Sequence, residues 1–367
     1  MKILIDIGHP AHVHYFKNFI RIMQTNGSRF MITSRNKEIA HYLLKKHNIP
    51  FLDRGKGRRS VIGKAIYYNK AVYLIYRCAR KFEPDLIISF ASPYAAIVSK
   101  LIRKPSIVFN DTEHAKLSHY LTDPFSQCIL TPSCYKNGLG KKQIRFDGYM
   151  ELSYLYSYYF TPDPSIFNVL GLSRNEKYII IRFVSWHASH DMGHSGLDLQ
   201  VKLDAVKALS KYARVFISSE GELPVHLKKY RIKIPPDRIH DALAFAALFV
   251  GEGATMASEC AMLGVPAIYV NSLEVGYCTE LERKYGLMFN YRNSNGVLEK
   301  ALELINKPNL DEEWAIRRQR MLAEKIDVTA FMVWFVENYP ESVKTMTEFP
   351  DYQRKFKLSP CAKVQRC

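Results

Sequence analysis

Two short stretches carry residue types that could move protons. In Gly8-His9-Pro10-Ala11-His12-Val13-His14 three histidines stand at spacings of three and two. A histidine near a helix start is biased toward the neutral form, because the helix dipole disfavours the cation, and a neutral imidazole can act as a base or bind a phosphate. His14, expected in the first helical turn, ranks first as a base; Gly8, His9 and His12 are candidate substrate contacts. The spacing also raises metal ligation, but no cysteine or carboxylate cluster accompanies it, so no metal is expected. In Asn110-Asp111-Thr112-Glu113-His114 two carboxylates flank a threonine. Asp111 and Glu113 could deprotonate an acceptor hydroxyl or act as an acid and base pair. Equally, Asp111 or Thr112 could cap a helix with Glu113 in its first turn. The stretch Ser89-Phe90-Ala91-Ser92-Pro93-Tyr94 has no carboxylate.

A third stretch suits an anion. Gly251-Glu252-Gly253-Ala254-Thr255-Met256-Ala257-Ser258-Glu259 follows the apolar run Leu248 to Val250 and leads into small residues that end at Gly264-Val265-Pro266. A glycine-rich strand-to-helix turn leaves backbone N–H groups at the positive end of a helix, where a phosphate can sit. Gly264 then reads as the glycine that closes the helix. Arg182, late in the apolar run Tyr178 to Val184, can pair with diphosphate oxygens, and Ser185 and His187 follow it in the next loop. Arg182 could instead saturate loop carbonyls. Ser219 and Glu220, after the run Val215 to Ser218, are weaker candidates for the same ligand, and Arg238 to Leu243 weaker still.

Small residues after a strand, then Ser258-Glu259, an apolar stretch, Gly264-x-Pro266 and another strand resemble the donor-site segment of GT-B glycosyltransferases. The likeness is greatest to the N-acetylglucosaminyltransferase that makes lipid II, and looser to the UDP-N-acetylglucosamine 2-epimerases. The resemblance implies that Glu259 holds the ribose hydroxyls of UDP and that Gly253, Ala254, Thr255 and Ser258 face the diphosphate. The alternative is that Glu259 caps or solvates a helix. The opening of the chain also resembles a family without an assigned activity, grouped with those epimerases by fold, that begins with an aspartate, a Gly-His-Pro and further histidines. The histidine stretch departs from the transferase pattern in having one glycine where that pattern has several. The Ser89 to Tyr94 loop departs from the hydrolysing epimerases, which use an acidic residue there as well as at the place of Glu113.

The elements that must position these groups are short Ile-, Val- and Phe-rich runs separated by helix-length segments: Ile3 to Ile7, Phe30 to Thr33, Leu86 to Phe90, Ile107 to Phe109 and Ile129 to Leu130. Such alternation predicts a parallel sheet covered by helices, among them Val13 to Thr25, Glu38 to His47 and Gly63 to Phe82. The tyrosine-crowded segment Tyr149 to Phe160 and the breakers Thr161-Pro162-Asp163-Pro164 mark a linker. The pattern then restarts with Tyr178 to Val184, a helix from about Leu197 to Tyr212, Val215 to Ser218, a short helix at Asp241 to Ala247, Leu248 to Val250, a helix at Thr255 to Leu263, and Ala267 to Val270. Helices follow at Glu312 to Lys325 and Val328 to Asn338. The expected fold class is α/β of GT-B type, two Rossmann-like doubly wound domains with a cleft between them. The expected division is an acceptor domain at 1–160, a linker at 161–176, a nucleotide-sugar domain at 177–327, a helix at 328–345 returning to the first domain, and a mobile basic tail at 346–367.

The 367 residues, 47% hydrophobic and 24% charged, suit a soluble two-domain protein. Seven scattered cysteines without a Cys-x-x-Cys pair argue against a disulfide framework or zinc site and fit a reducing cytoplasm. The apolar run at Met1 to Ile7 has no basic leader or cleavage site, and no stretch approaches the roughly 20 apolar residues of a membrane span. A formal charge of +17 favours anionic partners, but the cations are spread along the chain without a nucleic-acid motif, so no nucleic acid is expected. Gly63 to Phe82 interleaves tyrosines with Lys64, Lys70, Arg77, Arg80 and Lys81, a pattern for the anionic inner face of a membrane, or for packing on the sheet with cations in water. The reading is a cytoplasmic, peripheral, metal-independent glycosyltransferase without a cofactor, using a UDP-sugar and a glycan or lipid-linked acceptor in surface-polysaccharide or glycolipid synthesis. Its rivals are a UDP-N-acetylhexosamine 2-epimerase and a non-catalytic nucleotide-sugar-binding protein.

Overall fold

The computed structural model of the chain describes residues 1–37, 39–58, 60–184 and 199–357. Contacts divide it into two compact units. One is Met1–Tyr154 together with the segment from Lys325 onward, and the other is Leu155–Glu324.

The first unit is built on a parallel seven-stranded sheet: β1 (Lys2–Ile7), β2 (Arg29–Ser34), β3 (Leu52–Asp53), β4 (Leu86–Phe90), β5 (Ser106–Phe109), β6 (Cys128–Pro132) and β7 (Gln143–Phe146), in the order β3-β2-β1-β4-β5-β6-β7. The central strands are apolar along their length because helices cover both faces, leaving no wet side to impose alternation. β7 alternates Gln143 and Arg145 with buried Ile144 and Phe146, as an edge strand does. The order reverses between β1 and β4, where Asp6 lies beside Ser89. In an open doubly wound sheet this switch point is where ligands settle, beyond the carboxyl ends of the strands.

The helix after β1 runs Pro10–Thr25 and buries Val13, Phe16, Ile20 and Met23, the spacing of one helical face. It starts three residues earlier than the apolar periodicity indicates, because Pro10 occupies the first helical position, where its fixed φ and missing N–H cost nothing. The later helix Val328–Glu337 belongs to this unit. Asn18 Nδ2 and Thr329 Oγ1 each donate to the Ser153 carbonyl at 2.8 Å, joining three distant segments. The expected mobile tail is corrected in part: Pro350–Phe356 forms a short helical turn, Trp334 packs on Tyr352 and Phe356, and Gln353 Oε1 accepts the Asp147 N–H at 2.7 Å. Residues 358–367 lie outside the described residues.

The second unit carries a parallel five-stranded sheet: β8 (Tyr178–Phe183), β9 (Arg214–Ser219), β10 (Leu248–Gly251), β11 (Ala267–Val270) and β12 (Met288–Tyr291), in the order β12-β11-β10-β8-β9. Its order reverses between β8 and β10, where Arg182 lies beside Gly251. Trp314, buried on the helix Leu310–Glu324, donates its indole N–H to the Leu287 carbonyl at 3.0 Å. Cys78, Cys128 and Cys260 are free thiols. Among the described residues no helix is long and apolar enough to cross a membrane.

Candidate functional site

At the switch point of the first unit, the last polar residue of β1 is the centre of a buried network. Asp6 is fully buried; its carboxylate accepts from Arg54 Nη2 at 3.1 Å, from Thr33 Oγ1 at 2.8 Å and from Ser92 Oγ at 2.5 Å, and it stands in ion-pair contact with Arg54 Nε at 2.9 Å. Arg54, also buried, donates to the Tyr67 hydroxyl at 2.8 Å and lies over the Tyr94 ring at 4.6 Å. Burial opposes the Arg54 charge, but Asp6 and the two phenols outweigh it and raise its proton affinity. A carboxylate with three hydrogen-bond donors and a guanidinium that lies over a tyrosine ring form an ion pair of the kind that survives burial. It ties together the ends of β1, β2 and β4 under the Gly8 turn. Ser92 also caps the helix Pro93–Ile102, so the loop without a carboxylate spends its hydroxyl on Asp6.

Gly8 and His9 make the turn itself. His9 caps the helix by accepting the Ala11 N–H at 3.2 Å, and His12 Nδ1 accepts the Gly8 N–H at 3.3 Å. That bond leaves the neutral ring's proton on Nε2. Burial, then the charges of His9, Lys37 and Arg54, push the His12 imidazole well below its ordinary range. His12 is therefore the neutral histidine of the first helical turn. His14, expected there, stands one turn later because of the early start at Pro10; it is buried, stacked on Tyr154 at 5.2 Å, with His47 edge-on at 6.3 Å.

The loop after β5 holds Asp111 and Glu113 close to one another, one strand removed from the β4 loop. Asn110 Oδ1 accepts the Thr112 N–H at 3.0 Å, and Asp111 Oδ1 accepts the Thr112 hydroxyl at 2.9 Å. Glu113 Oε1 accepts the Lys136 N–H at 3.2 Å. Neither carboxylate caps a helix, since the next helix, Lys116–Thr122, begins after Ala115. Burial and the neighbouring Glu113 raise the Asp111 carboxyl to about 7, against the partial help of Thr112. A carboxyl poised at that value exchanges protons near neutrality.

In the second unit the expected anion turn lies between β10 and the helix Ala254–Leu263. Gly251 is required by space: a Cβ there would lie 2.7 Å from Arg182 Cβ and 3.0 Å from the Arg182 carbonyl. Gly253 is the N-cap and supplies no side chain, so the first N–H groups of the helix are left without a side-chain cap. A Cβ on Gly253 would meet only ordinary contacts, and the room above the turn is what an approaching phosphate needs. Gly264 closes the helix at φ +77°. Ser258 Oγ donates to the Thr255 carbonyl at 2.9 Å, and buried Glu259 is 2.9 Å from His240 Nε2, with Phe160 edge-on to that imidazole. His240 fixes the rotamer of Glu259 from behind.

Arg182, at the end of β8, donates to Ser218 Oγ at 2.9 Å and to Glu220 at 2.8 Å. Ser219 Oγ donates to the Gly221 carbonyl at 3.1 Å. The sheet thus brings Arg182, the β9 loop and the β10 turn to one edge, while Ser185 and His187 lie outside the described residues. Sequence reasoning passed over Glu252, whose carboxylate pairs with buried Lys202 at 3.2 Å and accepts the Val184 N–H at 2.9 Å. It also passed over Asp6 and Arg54. The signals for Asp6 were an acid ending an apolar strand and its place before the Gly-His-Pro stretch, and nothing local marks Arg54 as its partner 48 residues on. Among the described residues no group of three or more His, Cys, Asp or Glu side chains is placed to hold a metal ion.

The model of one protein family matches residues 1–341, nearly the whole chain. The chain belongs to the family described as "Protein of unknown function (DUF354)". A relative, the uncharacterized protein MJ0665 of Methanocaldococcus jannaschii, is 25% identical over 279 residues, which are 73% of this chain and 81% of the relative. Among solved structures, the UDP-GlcNAc 2-epimerase of Neisseria meningitidis bound to UDP-GlcNAc superposes with a TM-score of 0.66 at 14% identity, over 92% of this chain and 100% of that one. The glycosyltransferase SsfS6 of Streptomyces sp. SF2575 gives a TM-score of 0.58 at 12% identity over 92% and 100%. At such identities the likeness defines the fold, and this member of the family has the GT-B fold shared by those epimerases and glycosyltransferases.

Proposed function

We propose that the protein is a metal-independent glycosyltransferase that takes its sugar from UDP, with a UDP-N-acetylhexosamine as the donor class. The observation that carries the reading is the β10 turn: an uncapped helix start at Gly253 for the diphosphate and, one and a half turns on, buried Glu259 held by His240 for the ribose diol. A carboxylate accepts two hydrogen bonds from a diol, as acidic residues do in dinucleotide folds. Arg182 then exchanges Glu220 for a diphosphate oxygen. In the reaction the acceptor hydroxyl attacks the anomeric carbon, the bond from that carbon to the diphosphate breaks, and UDP leaves carrying the electron pair. The hydroxyl proton passes to a side-chain base. The helix N-terminus and Arg182 stabilise the leaving charge, which is the work a metal ion does elsewhere.

A second reading, a UDP-N-acetylhexosamine 2-epimerase, is favoured by one observation: the neighbouring carboxyls Asp111 and Glu113, with Asp111 raised to about 7. Against it stands the β4 loop, whose Ser92 is bound to Asp6 and which supplies no acid. Incubation with UDP-sugars separates the readings. Acceptor-dependent release of UDP is expected; an epimer formed without acceptor supports the second reading, and binding without turnover overturns both.

The acceptor is a glycan or lipid-linked sugar met at an anionic membrane surface. The helix Val61–Phe82 buries Tyr67, Ala71, Ile75 and Ala79 and turns Ile62, 75% exposed, with Ile66 and Tyr73 outward. Lys70, Arg77 and Arg80 are exposed along the same stripe, so apolar contact and charge complementarity act together. In flotation assays the protein is expected to rise with anionic vesicles and to lose binding as salt screens charges over about 10 Å at 0.1 M. Equal flotation with neutral vesicles, or none with either, refutes this docking.

A further inference from the structure

The Asn110–His114 loop is held by a histidine that the chemistry above does not use. His119, on the helix Lys116–Thr122, places Nδ1 3.1 Å from Asp123 Oδ2 and Nε2 3.1 Å from the Thr112 carbonyl, with the Tyr135 hydroxyl 2.8 Å from the same nitrogen. The Thr112 carbonyl and the Asp123 carboxylate can only accept, which favours a proton on each ring nitrogen, while the Tyr135 hydroxyl can donate to Nε2 or accept from it. The two acceptors together favour the imidazolium. Thr112 is the residue between Asp111 and Glu113, and it is bound to both neighbours of its own loop, through its N–H to Asn110 and its hydroxyl to Asp111.

We propose that His119 is the positioning residue of the carboxylate loop: its hydrogen bonds clamp Thr112 to Asp123, and its positive charge faces Glu113. The inference rests on the reading that this loop does acid–base work. The groups around His119 are Asp123 and Glu113, which favour its charge, the Tyr135 phenol, the Asn110 amide, and two cations beside Tyr135 and Asp123. Arg145 donates to the carbonyls of Ser133 and Asn137 beside Tyr135, and Lys142 donates to the carbonyls of Asp123 and Pro124. The hydrogen bond to Asp123 lifts His119 above the ordinary histidine range, with Thr112 and Glu113 adding to it against burial.

The test needs no substrate. In nitrogen-15 NMR of the imidazoles, both nitrogens of His119 are expected to stay protonated above pH 6.5, and Asp123→Asn should lower that titration by about one unit or more. In carbon-13 NMR of the carboxyls, Asp111 is expected to titrate near 7 in the native protein. Its midpoint should move upward by about half a unit or more in His119→Gln, because the clamp on Thr112, whose hydroxyl stabilises the Asp111 carboxylate, is lost. A His119 that is neutral at pH 6.5, or an Asp111 titration unchanged in folded His119→Gln, overturns the proposal. Asp123→Asn leaves the ring in place and keeps the test open should His119→Gln unfold. With UDP-sugar, His119→Gln should lower turnover at least about tenfold with UDP affinity unchanged. Absence of any UDP binding speaks against the donor reading and leaves the NMR result standing.

Discussion

Asp6→Ala is expected to destabilise the first unit by about 3–5 kcal/mol, the cost of stranding one member of a buried ion pair. Asp6 has no exposed surface, pairs with Arg54 and accepts hydrogen bonds from Arg54, Thr33 and Ser92. Its removal leaves a guanidinium in the interior with only Tyr67 as a polar partner among these contacts, and frees two hydroxyls inside the sheet. Removing the charge from the other side should repair much of the damage: Asp6→Ala with Arg54→Met is expected to be more stable than Asp6→Ala alone, since no buried charge is then stranded. Urea denaturation followed by the fluorescence of Trp334, which belongs to this unit, in a background of Trp186→Phe and Trp314→Phe gives both numbers. A single mutant within about 1 kcal/mol of the parent would mean that the network is ornamental to the fold.

The second large effect is on rate. Glu113→Gln and His12→Ala are each expected to lower turnover about 10²-fold or more while changing UDP affinity little, because a base acts on a proton that moves only in the transition state. His12 now precedes His14 as the transferase base. It sits in the first helical turn with Nδ1 committed to Gly8, whereas His14 is buried one turn later against Tyr154. Should Asp111 act in its protonated form, the rate will fall as pH rises through about 7, and Asp111→Asn will remove that limb of the profile. Near-native turnover in both His12→Ala and Glu113→Gln, with a working acceptor, places the base elsewhere.

The fold was legible wherever local pattern and burial agree. The apolar runs at Leu86 to Phe90 and Ala267 to Val270 are strands with those bounds, and the others lie within two residues. Two strands with short apolar content were not legible: β7 interleaves Gln143 and Arg145, and β12 carries Asn290 and ends at Tyr291. β3 is two exposed residues, Leu52 and Asp53, with no period to read. The helix Pro93–Ile102 was hidden behind Ser92-Pro93, which reads as a turn although it is a cap and a first helical residue. The site divides the same way. The glycine turn and Glu259 were legible because their chemistry is contiguous in sequence. The braces, Arg54 for Asp6, Lys202 for Glu252, His240 for Glu259 and His119 for Thr112, were not, since each is a tertiary partner that no local pattern announces.

In the proposed function the second unit binds UDP through the β10 turn and Glu259. Calorimetric titration of the whole protein with UDP, in parallel with Glu259→Gln, tests this binding. The native protein is expected to bind UDP and the folded variant to lose roughly 1–3 kcal/mol, the cost of spoiling charged hydrogen bonds to the ribose. Equal UDP affinity in the two proteins, or no UDP binding by the native one, would contradict it.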